Sequence, residues 1–124
     1  MRRLRNLLLT FVVLLILPSQ GLGQGTIKFT ANPSWDKGDI KAAGEYTVDD
    51  GYTIVGVVLT AHQPTGGKGG QAVATRDATQ KPPTWSARIP GPPNADFRVF
   101  ARLHLVKDGN GYYVDTADVL LKKQ

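Results

Sequence analysis

The chain has 124 residues, with 15 Lys and Arg against 10 Asp and Glu, and it contains no cysteine. A chain without cysteine has no disulfide framework and no thiol for catalysis or lipid attachment. Apart from three arginines among the first five residues and Lys122-Lys123 at the very end, its lysines and arginines are scattered along the sequence, so we expect no nucleic-acid partner.

Residues 1–23 have the three-part layout of a secretory signal peptide. Three arginines among the first five residues precede an apolar run over residues 7–17, and Gly21-Leu22-Gly23 offers small residues for cleavage. As a helix the run would cover only about 16 Å, against a hydrocarbon core of about 30 Å. We therefore expect cleavage near Gln24 rather than a membrane anchor, with no stable membrane insertion afterwards.

Cleavage would leave residues 24–124 as one domain, large enough to bury its own core. The signal contains three of the fifteen basic residues and no acidic one, so the remaining domain would have twelve basic and ten acidic residues. An exported domain without cysteine suits a bacterial envelope, and we expect it to be secreted or periplasmic.

The first half of this domain alternates apolar and polar residues at period two, the pattern of half-buried strands. Strands are expected over 26–30, 40–48 and 52–62, with a turn at Asp49-Asp50-Gly51. Strand 52–62 is the longest, and the side chains expected to face the core are Val55, Val57, Leu59 and Ala61.

The second half begins with a glycine-rich segment, 63–71, which is expected to be a loop before a weak strand at 72–75. Strand 84–89 places Trp85 on one face with Ala87 and Ile89, so Trp85 is expected in the core.

Strand 97–106 has the cleanest alternation of the chain, and it is followed by a predicted hairpin turn at 108–111 and a last strand at 112–121. The inward residues of strand 97–106 are predicted to be Phe97, Val99, Ala101, Leu103 and Leu105.

About seven strands separated by glycine and proline turns predict an all-β fold, an immunoglobulin-like Greek-key β-sandwich. An open barrel of the oligonucleotide-binding kind is the alternative, but it usually contains a helix, and no helical period is present here.

Four segments carry a resemblance to a known family: 40–46, the Trp-Ser strand 84–89, the strand 94–103 and the Lys-Asp-Gly-Asn-Gly turn 107–111. They resemble the bacterial immunoglobulin-like domains of adhesins and envelope proteins, and fibronectin type III domains fit nearly as well. The resemblance implies a Greek-key sandwich and a binding role rather than catalysis.

Residues that could carry chemistry are few and apart. If their strands are antiparallel neighbours, His62 and His104 lie roughly 25 Å from each other, too far to share a metal ion. The turn at Asp108 fails as a calcium loop because Tyr112 stands at the fifth position. No motif sets a nucleophile beside a histidine. We expect no cofactor, no metal and no catalytic residue.

What remains is a surface on the outward side of strand 97–106 and its neighbour. Exposed aromatic and arginine side chains are enriched in interfaces, and the predicted binding residues are Ile54, Val58, Arg98, Phe100, Arg102 and His104. The sequence thus favours an exported, non-enzymatic module that recognises a protein or glycan at the bacterial envelope. A self-associating matrix component is the alternative, and a small secreted enzyme is a less favoured third. The alternative to a binding surface is that a loop or the segment next to the signal covers these residues.

Overall fold

The computed structural model of the protein describes residues 24–124, and the predicted signal peptide lies outside them. These residues form a sandwich of two antiparallel sheets. The strands are β1 (Gly25–Asp36), β2 (Asp39–Val48), β3 (Thr53–His62), β4 (Gly69–Val73), β5 (Thr75–Asp77), β6 (Thr84–Ile89), β7 (Phe97–Lys107), β8 (Asn110–Asp115) and β9 (Val119–Leu121).

The strand order confirms the predicted immunoglobulin-like sandwich. One sheet runs β1-β2-β6-β5, and the other runs β9-β7-β3-β4, with β8 also paired to β7. This is the order of a constant-type immunoglobulin domain, ABED facing GFC. Here β8 and β9 together make the last strand, and β4 is an additional strand beside β3. That break and the 69–77 segment account for nine strands instead of about seven.

The hydrophobic core lies between the two sheets, and both sheets contribute aromatic side chains to it. All five residues predicted to face inward from β7 have no exposed surface, and Trp85 is only 2% exposed. Both predictions are confirmed. Trp85 packs on Phe29 with ring centroids 5.7 Å apart, and its indole Nε1–H has no hydrogen-bond acceptor.

A β-bulge in β3 changes which of its side chains face the core. Ile54 is opposite Leu105 but Gly56 is opposite His104, so Val55 is an extra residue in the strand. A bulge shifts the alternation by one position. Val55 is therefore 53% exposed, and the prediction that it faces inward is wrong. Ile54 instead packs against the core.

Two strands are longer than the sequence predicted. β1 continues past residue 30 to Asp36, because its register shifts twice and lets the strand accommodate Pro33. The predicted loop 63–71 ends earlier, since Gly69 already pairs with His62 in β4.

Ion pairs fasten the hairpin at one end of the four-stranded sheet. The Arg88 guanidinium donates to carboxylate oxygens of Asp36 and Asp39, at 3.0 Å for Asp39. The Asp39 carboxylate also accepts the backbone N–H of Gly91 at 2.7 Å. That N–H, and then Arg88, hold the pKa of Asp39 below its usual range, and Arg88 does the same for Asp36.

A second anchored carboxylate lies near the chain end. The backbone N–H of Lys123 and the ammonium of Lys122 both donate to the Asp96 carboxylate, at 2.9 and 3.0 Å. The Lys123 N–H is the larger cause and Lys122 the second cause of the lowered pKa of Asp96.

These lowered pKa values predict a loss of stability in acid. Because each carboxyl has a lower pKa in the folded than in the unfolded chain, the unfolded chain binds protons first as the pH falls. The stabilisation is complete above the unfolded carboxyl pKa of about 3.9 and is lost below it. We therefore expect the contribution of these carboxylates to the urea midpoint to be constant from pH 7 down to about pH 4, and the midpoint to fall between there and pH 2. Asp39→Asn should flatten the fall, and an unchanged acid limb in that variant would contradict the assignment.

Candidate binding surface

The outer face of the five-stranded sheet carries all four exposed large apolar side chains of residues 24–124. Val73 is 78% exposed, Tyr113 58%, Val55 53% and Leu120 47%. Three of them follow from their register, since Val73 is opposite Val58, Tyr113 opposite His104, and Leu120 opposite Arg98. Val55 is the extra residue of the β3 bulge. Exposed apolar side chains gathered on one face mark an interaction surface more often than scattered ones do.

Five side chains form a continuous line across this face, which we call the aromatic stripe: His62, Phe100, Arg102, Tyr113 and His104. The His62 and Phe100 rings meet edge to face at 6.5 Å. The Arg102 guanidinium carbon lies 5.5 Å from the Phe100 centroid and 4.7 Å from the Tyr113 centroid. The His104 ring lies 4.6 Å from that of Tyr113. Three strands, β3, β7 and β8, thus contribute to one cluster.

Arg102 is the fixed centre of the stripe. Its Nε–H and one terminal N–H donate to the two oxygens of Asp115, at 2.8 and 2.9 Å. The register puts Asp115 directly opposite Arg102, and this bidentate pair raises the pKa of the guanidinium. A paired and stacked guanidinium loses little further freedom on binding, as expected of an interface anchor.

The structure brings together five of the six predicted binding residues. Arg98, Phe100, Arg102 and His104 alternate along β7 with the core residues, and Val58 is opposite Arg102 on β3. Arg98 is exposed, whereas Phe100 is half-buried between its neighbours. Placing Ile54 on this face was wrong, because the β3 bulge turns it toward the core.

Sequence reasoning missed Tyr113, although a signal for it was present. A two-residue turn at Asp108-Gly109 pairs Lys107 with Asn110, and counting back from that pair sets Tyr113 opposite His104. Both turn residues have positive φ, at 52° and 80°, as a type I′ hairpin turn requires. Val73 and Leu120 carried no such signal, because the register of their strands is fixed by tertiary packing.

The outer face of the four-stranded sheet is different in kind. One row of small side chains crosses all four strands, namely Ala31, Ala43, Ser86 and Thr75. They form the floor of an open groove of about 440 Å³ beside Lys41 and Arg88. No large apolar side chain of residues 24–124 is exposed on this face.

Within residues 24–124, no group of three or more His, Asp or Glu side chains is placed to hold a metal ion. The two histidines lie six residues apart along β7, since His62 is opposite Arg98 and His104 is opposite Gly56. No helix in this part of the chain could cross a membrane. Comparison with protein-family models, curated proteins and solved structures finds no match.

Proposed function

We propose that this chain is an exported, non-enzymatic binding module of the bacterial envelope or exterior, which recognises a protein partner through the outer face of its five-stranded sheet. The observation that carries the proposal is the asymmetry of the sandwich. Of residues 24–124, every exposed large apolar side chain lies on one sheet face, around the aromatic stripe. The signal peptide predicted over residues 1–23 and the absence of cysteine support an envelope location.

A protein partner fits this face better than a glycan. Sugars are bound by stacking on an open aromatic ring, and although Tyr113 is 58% exposed, its ring already contacts Arg102 at 4.7 Å and His104 at 4.6 Å. The exposed apolar side chains are instead spread from Val73 on β4 to Leu120 on β9. Broad, flat contact with scattered apolar side chains and one central arginine is typical of protein interfaces.

Photo-crosslinking in the producing cells tests this proposal. A benzophenone amino acid at Leu120 lies on the proposed face, opposite Arg98. The matched control is the same amino acid at Lys28, which is exposed on the other sheet. We expect a discrete adduct with a second protein from position 120 and none from position 28.

Three outcomes would contradict the proposal. They are no adduct from position 120, the same adduct from both positions, or an adduct from position 120 that contains saccharide or a second copy of this chain in place of another protein.

A further inference from the structure

The sandwich has four open sheet edges among its described strands, and three of them carry features that block strand addition. β1 contains two register shifts and Pro33. β5 has three residues, of which Arg76 and Asp77 are charged. The β8–β9 edge is interrupted after Asp115. Bulges, proline, charge and short length are the common ways in which natural sheets avoid edge-to-edge pairing.

The β4 edge has none of these features. Its sequence, Gly-Gly-Gln-Ala-Val, has no charge and no proline, and its pairing with β3 is regular over all five residues. Val73 is the most exposed large apolar side chain of the described residues. Among those residues β4 pairs with β3 alone, so its other side is open.

The backbone groups on the open side can be assigned from one hydrogen bond. The Ala74 N–H donates to the Val57 carbonyl at 2.8 Å, in register with the β3–β4 ladder. In an antiparallel pair the backbone groups alternate in direction along the strand. Ala72 therefore points its N–H and C=O at β3, whereas Gln71 and Val73 point theirs at the open edge.

We propose that β4 pairs antiparallel with β4 of a second copy, about a two-fold axis at Gln71. This proposal is independent of the partner-binding face. Under that axis, the N–H and C=O of Gln71 meet those of Gln71 in the second copy, and Val73 lies opposite Gly69. An isologous contact must be self-complementary, and this edge is, because its donors and acceptors match and no like charges oppose each other.

Pairing of this kind would place two binding faces side by side. A two-fold axis between antiparallel strands is perpendicular to the sheet, so both outer faces point the same way. Five strand spacings separate the two β7 strands, which puts the two Phe100 side chains roughly 24 Å apart. The dimer would then bind a repeated or dimeric partner with the gain expected of two linked sites.

Charge substitutions at the axis test the pairing. Gln71→Lys and Gln71→Glu each set two like charges directly opposite each other, and each should weaken the dimer of the purified exported protein by roughly tenfold or more. A mixture of the two variants should restore dimerisation. The matched control is Thr60→Lys, which adds the same charge on the same face, opposite Gln71 but one strand inward. It should leave the dimer intact.

Sedimentation equilibrium gives the readout, and the mixture shows that both variants are folded. A wild-type protein that stays monomeric up to about 100 µM would overturn the proposal. So would a dimer that Gln71→Lys leaves unchanged, equal weakening by Gln71→Lys and Thr60→Lys, or a mixture that fails to recover. If crosslinking from position 120 captured no partner protein, these sedimentation results would not change. The two proposals can therefore fail separately.

Discussion

Truncating Trp85 to alanine should lower the free energy of unfolding by about 3–5 kcal/mol, a large share of the stability of a small domain. The indole is 2% exposed and lies against Phe29, so its removal leaves a cavity that a paired sheet cannot close. No hydrogen bond is lost in the exchange, because the indole Nε1–H has no acceptor. The loss is therefore one of packing alone.

Trp85→Phe is the matched control for this prediction. It keeps an aromatic ring in the site and removes the buried N–H that has no acceptor, so we expect a loss of only about 1–2 kcal/mol. Urea denaturation followed by circular dichroism measures both variants. Equal losses in the two variants, or a midpoint that barely moves in Trp85→Ala, would show that the indole does not fill the core in this way.

Gly44→Ala should destabilise the fold by about 3 kcal/mol, at the upper end of what overpacking costs. Gly44 lies opposite both Phe29 and Trp85 in the middle of the four-stranded sheet. A Cβ atom there would overlap the carbonyl oxygen of Lys28 and lie 2.8 Å from the Trp85 Nε1. Because the first of these neighbours is backbone in a paired strand, the sheet itself must shift.

Gly56→Ala provides the control, since a Cβ atom at Gly56 meets nothing within 4 Å. Gly56 also lies in a strand, so the general preference of strands for alanine over glycine applies to both sites. We therefore expect Gly56→Ala to stabilise the fold slightly, by up to about 1 kcal/mol. Similar unfolding midpoints for the two variants would contradict the close approach of β1, β2 and Trp85 at Gly44.

Alternation predicts a face well where the strand is regular, and β7 shows this. Its five apolar residues at alternate positions are all fully buried, and the side chains between them include Phe100 and Arg102. Since the pleat has period two, the inward set determines the outward set. The sequence alone was therefore enough to find the centre of the candidate surface.

Alternation fails where the backbone is irregular, because nothing in side-chain pattern marks an extra residue. The bulge at Val55 exchanges the faces of Val55 and Ile54 within an unbroken apolar run, so either phase fits the sequence. Pro33 likewise argues against a strand, yet β1 passes through it by shifting register. Only pairing with a neighbouring strand fixes these positions.

The edge at β4 could not be foreseen for a related reason. Gly66-Gly67-Lys68-Gly69-Gly70 has the composition of a loop, and its last two residues enter β4 because β3 supplies a regular partner. Glycine has little strand preference of its own. The openness of this edge thus depends on tertiary context that the local sequence does not contain.

The measurement that tests the binding face most directly is made on Phe100→Ala, with stability and partner affinity determined on the same preparation. The partner is the protein captured by crosslinking at Leu120. Phe100 is half-buried between His62 and Arg102, so its truncation should cost no more than about 1 kcal/mol of stability. Its affinity for the partner should fall roughly thirtyfold, as for an interface anchor worth about 2 kcal/mol. A stability loss of core size with unchanged affinity would show that Phe100 supports the fold and that the outer face of this sheet is not the binding surface.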